Sequence, residues 1–168
     1  MKKIIRPLFF AILIAAIFSS CEKQKDDWTL ANTISLGDVS LQVPETYEYT
    51  WRTEVKVEVS NGFQGNSVAI LKEPLAGRTT EEAFSDLTDA FQVYGTPIES
   101  DTTLLAHPTK KLETTILVAP ELGGEHTITS FIFIDDNYVY TLEYAWSKEF
   151  YYLSLNLMND MLSSLQIK

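Results

Sequence analysis

Two histidines, His107 and His126, and one cysteine, Cys21, are the whole supply of imidazole and thiol groups, the side chains that ordinarily serve as neutral-pH base or thiolate nucleophile. A Ser-His-Asp arrangement or a histidine metal centre would have to use one of the two imidazoles. His107 precedes Pro108 at an expected loop, and His126 opens an expected strand behind Gly123-Gly124, so both read as surface or partly satisfied histidines. There is no G-x-S-x-G elbow, no G-x-x-x-x-G-K phosphate loop, no H-E-x-x-H pair and no second cysteine. Asp135-Asp136-Asn137 offers oxygen ligands but lacks the spaced acids and distant glutamate of a calcium loop; a tight turn explains these residues, because Asp and Asn tolerate left-handed backbone. No metal or cofactor site is expected. The aromatics Tyr138, Tyr140, Tyr144, Trp146, Tyr151 and Tyr152 could line a groove, but a stripe of this kind more often fills the space between a sheet and a helix.

The position of Cys21 carries more information than its chemistry. Lys2, Lys3 and Arg6 precede an apolar run from Leu8 to Phe18, and the small pair Ser19-Ser20 leads into the cysteine. At 1.5 Å rise, about 11 apolar residues cannot cross a hydrocarbon core of roughly 30 Å, so the segment reads as a secretory leader, not a spanning helix. Phe18-Ser19-Ser20-Cys21 resembles a bacterial lipobox, with Phe where that motif most often has Leu. The resemblance implies cleavage before Cys21, a diacylglycerol thioether on its sulfur and an acylated amine, hence attachment to one leaflet of the cell envelope as an outer-membrane lipoprotein. Lys25-Asp26-Asp27, close behind, resembles the surface-export signal of Bacteroidetes lipoproteins, although a solvated tether would look the same. Periplasmic and surface locations both stay open.

The whole chain carries 13 basic and 23 acidic side chains; losing the three basic residues of the leader leaves ten, a formal charge near −13. Such a surface repels phosphate backbones and anionic head groups, so nucleic acid is not an expected partner and membrane attachment must come from lipid. With Cys21 lipidated no disulfide can staple the fold, and the remaining chain must rely on an ordinary core.

Residues 1–20 are thus read as leader, 21–32 as lipidated cysteine and tether, and 33–168 as one domain. Val39, Leu41 and Val43 alternate as a strand; Trp51, Thr53, Val55, Val57 and Val59 read as the buried face of a second, with Arg52, Glu54, Lys56 and Glu58 opposite. Asn61-Gly62 and Gly65-Asn66 mark a loop before the buried run Val68 to Leu71, and Pro74 and Gly77 turn the chain again. Thr79 and Glu82 form a capping box ahead of Ala83, Phe84, Leu87, Ala90 and Phe91, a helix ended by Gly95 and Pro97. Leu112 to Val118, Ile128 to Ile134 and Tyr138 to Trp146 predict a three-stranded antiparallel meander. Phe150, Leu153, Leu157, Met158, Met161, Leu162 and Leu165 predict a closing amphipathic helix over about 148–165.

This order predicts an α+β domain, an antiparallel sheet covered by helices. The strand Ile34 to Pro44, the later Val139-Tyr140-Thr141-Leu142-Glu143-Tyr144 and the apolar tail Leu162 to Ile167 resemble the PsbP/DcrB-like family. That resemblance implies a PsbP-like α/β/α sandwich and a scaffold or accessory role, with no functional motif to carry over. Two classes of function remain. In one, the protein is a non-catalytic, lipid-anchored binding or accessory module for another envelope component. In the other it is a hydrolase or small-ligand carrier whose site joins distant residues, such as His107 with Glu113 or Glu121.

Overall fold

Gly37, at φ +60, closes a tight hairpin with Asp38 that joins β1 (Leu30–Leu36) to β2 (Val39–Pro44). Val39, Leu41 and Val43 are buried along one side of β2, the alternation expected of a half-buried strand. The computed structural model describes residues 28–61, 66–118, 124–148 and 151–168, with only the backbone of 151–154. The leader, Cys21, Lys25, Asp26 and Asp27 lie outside the described residues, as do Gly62, Gly65, Glu121, Gly123 and Phe150 and the side chains of Tyr151, Tyr152 and Leu153.

The expected second strand is instead a hairpin of two. β3 (Glu48–Arg52) and β4 (Lys56–Asn61) pair antiparallel, with Trp51 opposite Glu58 and Arg52 opposite Val57. The cause is Thr53, whose hydroxyl accepts from the backbone N–H of Val55 at 3.3 Å and of Lys56 at 3.0 Å, offering those donors an alternative to a continuing ladder. The turn inverts the pattern. Val57 and Val59 go to the core, whereas Trp51 and Val55 do not join them.

β5 (Asn66–Pro74) follows β4, and a turn leads to α1 (Thr80–Phe91), where both bonds of the Thr79–Glu82 capping box are made. A short 3₁₀ turn, Gln92–Tyr94, ends at Gly95. β6 (Ile98–Leu104), which the sequence did not announce, then pairs with β7 (His107–Leu117). Leu105 and Ala106 both take positive φ in the turn between them, the mirror-image geometry that hairpins prefer, built here without its usual Asn-Gly signature. β8 (Glu125–Asp135) and β9 (Tyr138–Ser147) complete the expected meander around Asp136-Asn137. The chain closes with α2 (Tyr151–Ser163) and β10 (Gln166–Ile167).

Among the described residues the strands form a seven-stranded antiparallel sheet, order β3-β4-β5-β9-β8-β7-β6, and a small sheet, order β1-β2-β10. The first strands therefore make a layer of their own instead of extending the main sheet. The small sheet and α2 cover one face, where Ile34, Leu41, Ile70, Phe133, Leu142, Met161 and the stacked pairs Phe133–Tyr140 and Tyr144–Trp146 form the larger core. α1 covers the other face through Ala83 and Phe91 against Leu112, Ile128, Ile132 and Val139. This is a single-domain α+β fold, and the buried Tyr140, Tyr144 and Trp146 are packing residues of it.

Candidate functional site

The histidines and their candidate acids are kept apart. His107 donates from Nδ1 to the Ile134 carbonyl at 3.1 Å and leans on the Phe133 ring, centroids 5.9 Å apart. Glu113 lies six residues further along β7, which at 3.3 Å per residue is about 20 Å away, and it is engaged by Lys111 at 3.1 Å and Thr129 at 3.4 Å. The pair His107–Glu113 is not brought together, and Glu121 lies outside the described residues. His126 is buried near the far end of β8, between Ile116 and Ser147 in the ladder and on the opposite face of the sheet from His107. Among the described residues no three or more His, Cys, Asp or Glu side chains gather around a point that could hold a metal.

A second cluster lies under the 3₁₀ turn on the α1 face. Burial holds the Glu143 carboxyl above its ordinary range; the charge of Glu58 adds to this and Lys56, which pairs with Glu58, works against it. Tyr94 is raised in turn by the Glu143 charge and by burial. Ser130, opposite Glu143 in the ladder, is buried, and its hydroxyl has no hydrogen-bond partner among the described residues. Glu143, Tyr94 and Ser130 are not among the residues that line the groove beside Trp51.

The concavity lies elsewhere, where the Thr53 turn, the end of β5 and the flank of α1 meet. It is a largely apolar groove of about 720 Å³, walled by Trp51, Val55, Leu71, Leu87 and Val139, with Lys56, Lys72 and Glu73 on its rim. The Lys72 N–H donates to the Val55 carbonyl at 3.0 Å, locking the turn to β5, and Trp51 and Val55 are each left 58% exposed. The indole and the isopropyl group add exposed apolar area to the wall of the groove. Arg78 fixes the opposite wall. It donates to Glu73 at 2.6 Å and Asp86 at 3.2 Å, and to the carbonyls of Leu75 and Pro74, bracing the link between β5 and α1. Lys72 lines the groove from the edge of β5, while its ammonium points to the other face of the sheet, 3.7 Å from the centroid of the Tyr138 ring.

The groove offers shape, apolar area and a polar rim, which suits binding. Sequence reasoning did not single out Trp51 and Val55 as site residues, because it placed both on a buried strand face. The signal available was Thr53-Glu54, a polar pair able to turn the chain between two alternating runs.

No family model matches the chain, and no curated protein is similar to it in sequence. Solved structures share its fold. A protein of Bacteroides thetaiotaomicron superposes with a TM-score of 0.59 at 11% identity over 83% of this chain, which spans 49% of that structure's length. Cyanobacterial PsbP (CyanoP) of Synechocystis gives 0.62 at 10% identity over 82% of this chain and 92% of its own. LpqN of Mycobacterium tuberculosis, involved in cell envelope biogenesis, gives 0.53 at 11% identity over 82% of this chain and 90% of its own. At such identities the likeness is one of fold.

Proposed function

We propose that this chain is a lipid-anchored cell-envelope protein that works as a non-catalytic binding or accessory module, and that an apolar segment of another envelope protein sits in the groove beside Trp51. The observation that carries the reading is the groove itself: tryptophan is the side chain most often found at the energetic centre of an interface, and here one stands exposed over an apolar trough. The lipobox resemblance at Cys21 supports the anchor, and both the periplasmic face and the cell surface are compatible with the Lys25-Asp26-Asp27 tether. The fold shared with LpqN, a protein involved in cell envelope biogenesis, supports the compartment. A shared membrane raises effective concentration, so the interface need not be tight.

A volume of about 720 Å³ also falls within the range that small ligands occupy, roughly 300 to 1,000 Å³, which favours a small-ligand carrier as the second reading. The test is lysine-directed crosslinking in intact cells, with identification of what is joined to wild type and to Trp51→Ala. A defined envelope protein captured by wild type and lost in the variant supports the module. Equal capture by both, together with a small molecule retained by purified wild type alone, supports the carrier. Cys21→Ala is expected to abolish acyl labelling and to leave the chain as precursor or released from membranes; unchanged labelling and fractionation would remove the anchor from the proposal.

A further inference from the structure

We infer that the anchor is oriented: the end of the domain that carries Trp28 stays near the leaflet, and the groove is held away from it, open to molecules on the side that faces away from the anchoring membrane. This rests on the lipidation of Cys21 proposed above.

Trp28 packs against the larger core and donates from Nε1 to the Asp160 carboxylate at 2.9 Å, and the Thr29 carbonyl accepts from the Glu45 N–H at 3.2 Å. The chain is thus fixed to α2 and to the end of β2 from Trp28 onward. Six residues, 22–27, separate it from Cys21. Whatever path they take, they can span at most about 25 Å, and a flexible chain of that length typically spans about 15 Å.

The other end of β1 shows which way the domain points. The Gly37 turn lies against Lys72 Nζ and Tyr140 Oη, at the end of the main sheet where β5 reaches Pro74 and β9 begins at Tyr138. Leu30 is the length of β1 away from that turn, about 20 Å at 3.3 Å per residue. Trp28 therefore sits toward the opposite end, the one reached by Ser147 and Lys148, where α2 starts. The groove, lined by Leu71 to Pro74 and Val139, is at the Gly37 end and on the α1 face, with the main sheet between it and the small sheet; stacked sheets alone add about 10 Å. Its separation from Trp28 exceeds the typical span of the tether, so bringing it to the leaflet would require the tether to be pulled nearly taut around the domain.

The lipidated full chain, reconstituted in phosphatidylcholine vesicles that carry an acceptor dye on their head groups, tests this. Because Cys21 is the sole native cysteine, a cysteine introduced at an exposed site is the one free thiol for a donor dye. Lys148→Cys reports the Trp28 end and Val55→Cys the groove, with Glu54→Cys in the same turn if the latter does not fold. Energy transfer severalfold stronger from position 148 than from position 55, with the difference abolished by twelve Gly/Ser residues inserted between Asp27 and Trp28, is the expected result. Equal transfer from the two positions with the native tether, or stronger transfer from position 55, would overturn the orientation while leaving the anchor intact. Failure of every variant to float with the vesicles would overturn the anchor, and the orientation with it.

Discussion

Replacing Gly37 by alanine tests how the small sheet is seated on the large one. Gly37 has φ +60, a left-handed conformation that costs an ordinary residue about 1 to 2 kcal/mol. Space adds to conformation, since a Cβ there would lie 2.6 Å from Lys72 Nζ and 2.7 Å from Tyr140 Oη. Lys72 can swing away, but doing so forfeits its place over the Tyr138 ring, worth about 0.5 to 1 kcal/mol at an exposed site. Tyr140 cannot swing, because its ring is fully buried and stacked on Phe133; forcing it costs what overpacking usually costs, about 1 to 3 kcal/mol. Gly37→Ala should therefore lose roughly 2.5 to 6 kcal/mol in urea denaturation. The control is Gly124→Ala, at φ +71 with nothing within 4 Å of its Cβ, which should lose only the conformational part, about 1 to 2 kcal/mol. In a Lys72→Ala background the Gly37→Ala penalty should shrink, a coupling measurable by a double-mutant cycle. Equal losses for the two glycine variants would refute the seating of the hairpin on Lys72 and Tyr140, and with it the direction assigned to β1.

Two further outcomes follow from the core and the acid cluster. Met161→Ala, which truncates a side chain with no exposed surface between α2 and the main sheet, should cost about 2 to 5 kcal/mol against a typical margin of 5 to 15, read as a fall in the denaturation midpoint at unchanged slope; a loss under about 1 kcal/mol would show that α2 is not part of the core. Burial raises the Glu143 carboxyl above its ordinary value of 4.5, so the folded state binds this proton more tightly than the unfolded state; its contribution is fully present below that value and is lost as pH rises through the raised folded one. Glu143→Gln should remove that decline from thermal melts taken upward from about pH 4.5, and an identical pH profile for variant and wild type would refute it.

The elements most legible in the sequence were those whose signals are local. The Thr79–Glu82 cap, the strands around Asp136-Asn137 and the apolar stripe Leu157, Met158, Met161 and Leu165 each announce themselves within a few residues, and each is where it was expected. What misled were two turns. Thr53 breaks an alternation that runs unbroken on paper, because its hydroxyl competes for the N–H groups of Val55 and Lys56, and the break moves Trp51 out of the core and into the groove wall. Leu105-Ala106 makes a hairpin from residues with no turn signature, held by the Ile98–Leu104 ladder on β7. The division of the ten strands among the described residues into two sheets depends on pairings between residues as distant as Gln166 and Ser40, which no window of local pattern contains. The groove was hidden for the same reason: β3, β5, α1 and β9 each supply a wall, and none of them is marked by residues of unusual chemistry.

The groove's role as a binding surface is tested most directly by site-specific photocrosslinking in intact cells, with the photoreactive residue placed at Val55 on the groove rim or at Thr102 on the exposed edge strand β6. The binding-module reading requires a discrete adduct with one envelope protein from position 55, suppressed by Trp51→Ala, and none of that adduct from position 102. The same adduct from both positions, or an adduct from position 55 that Trp51→Ala leaves undiminished, would contradict it.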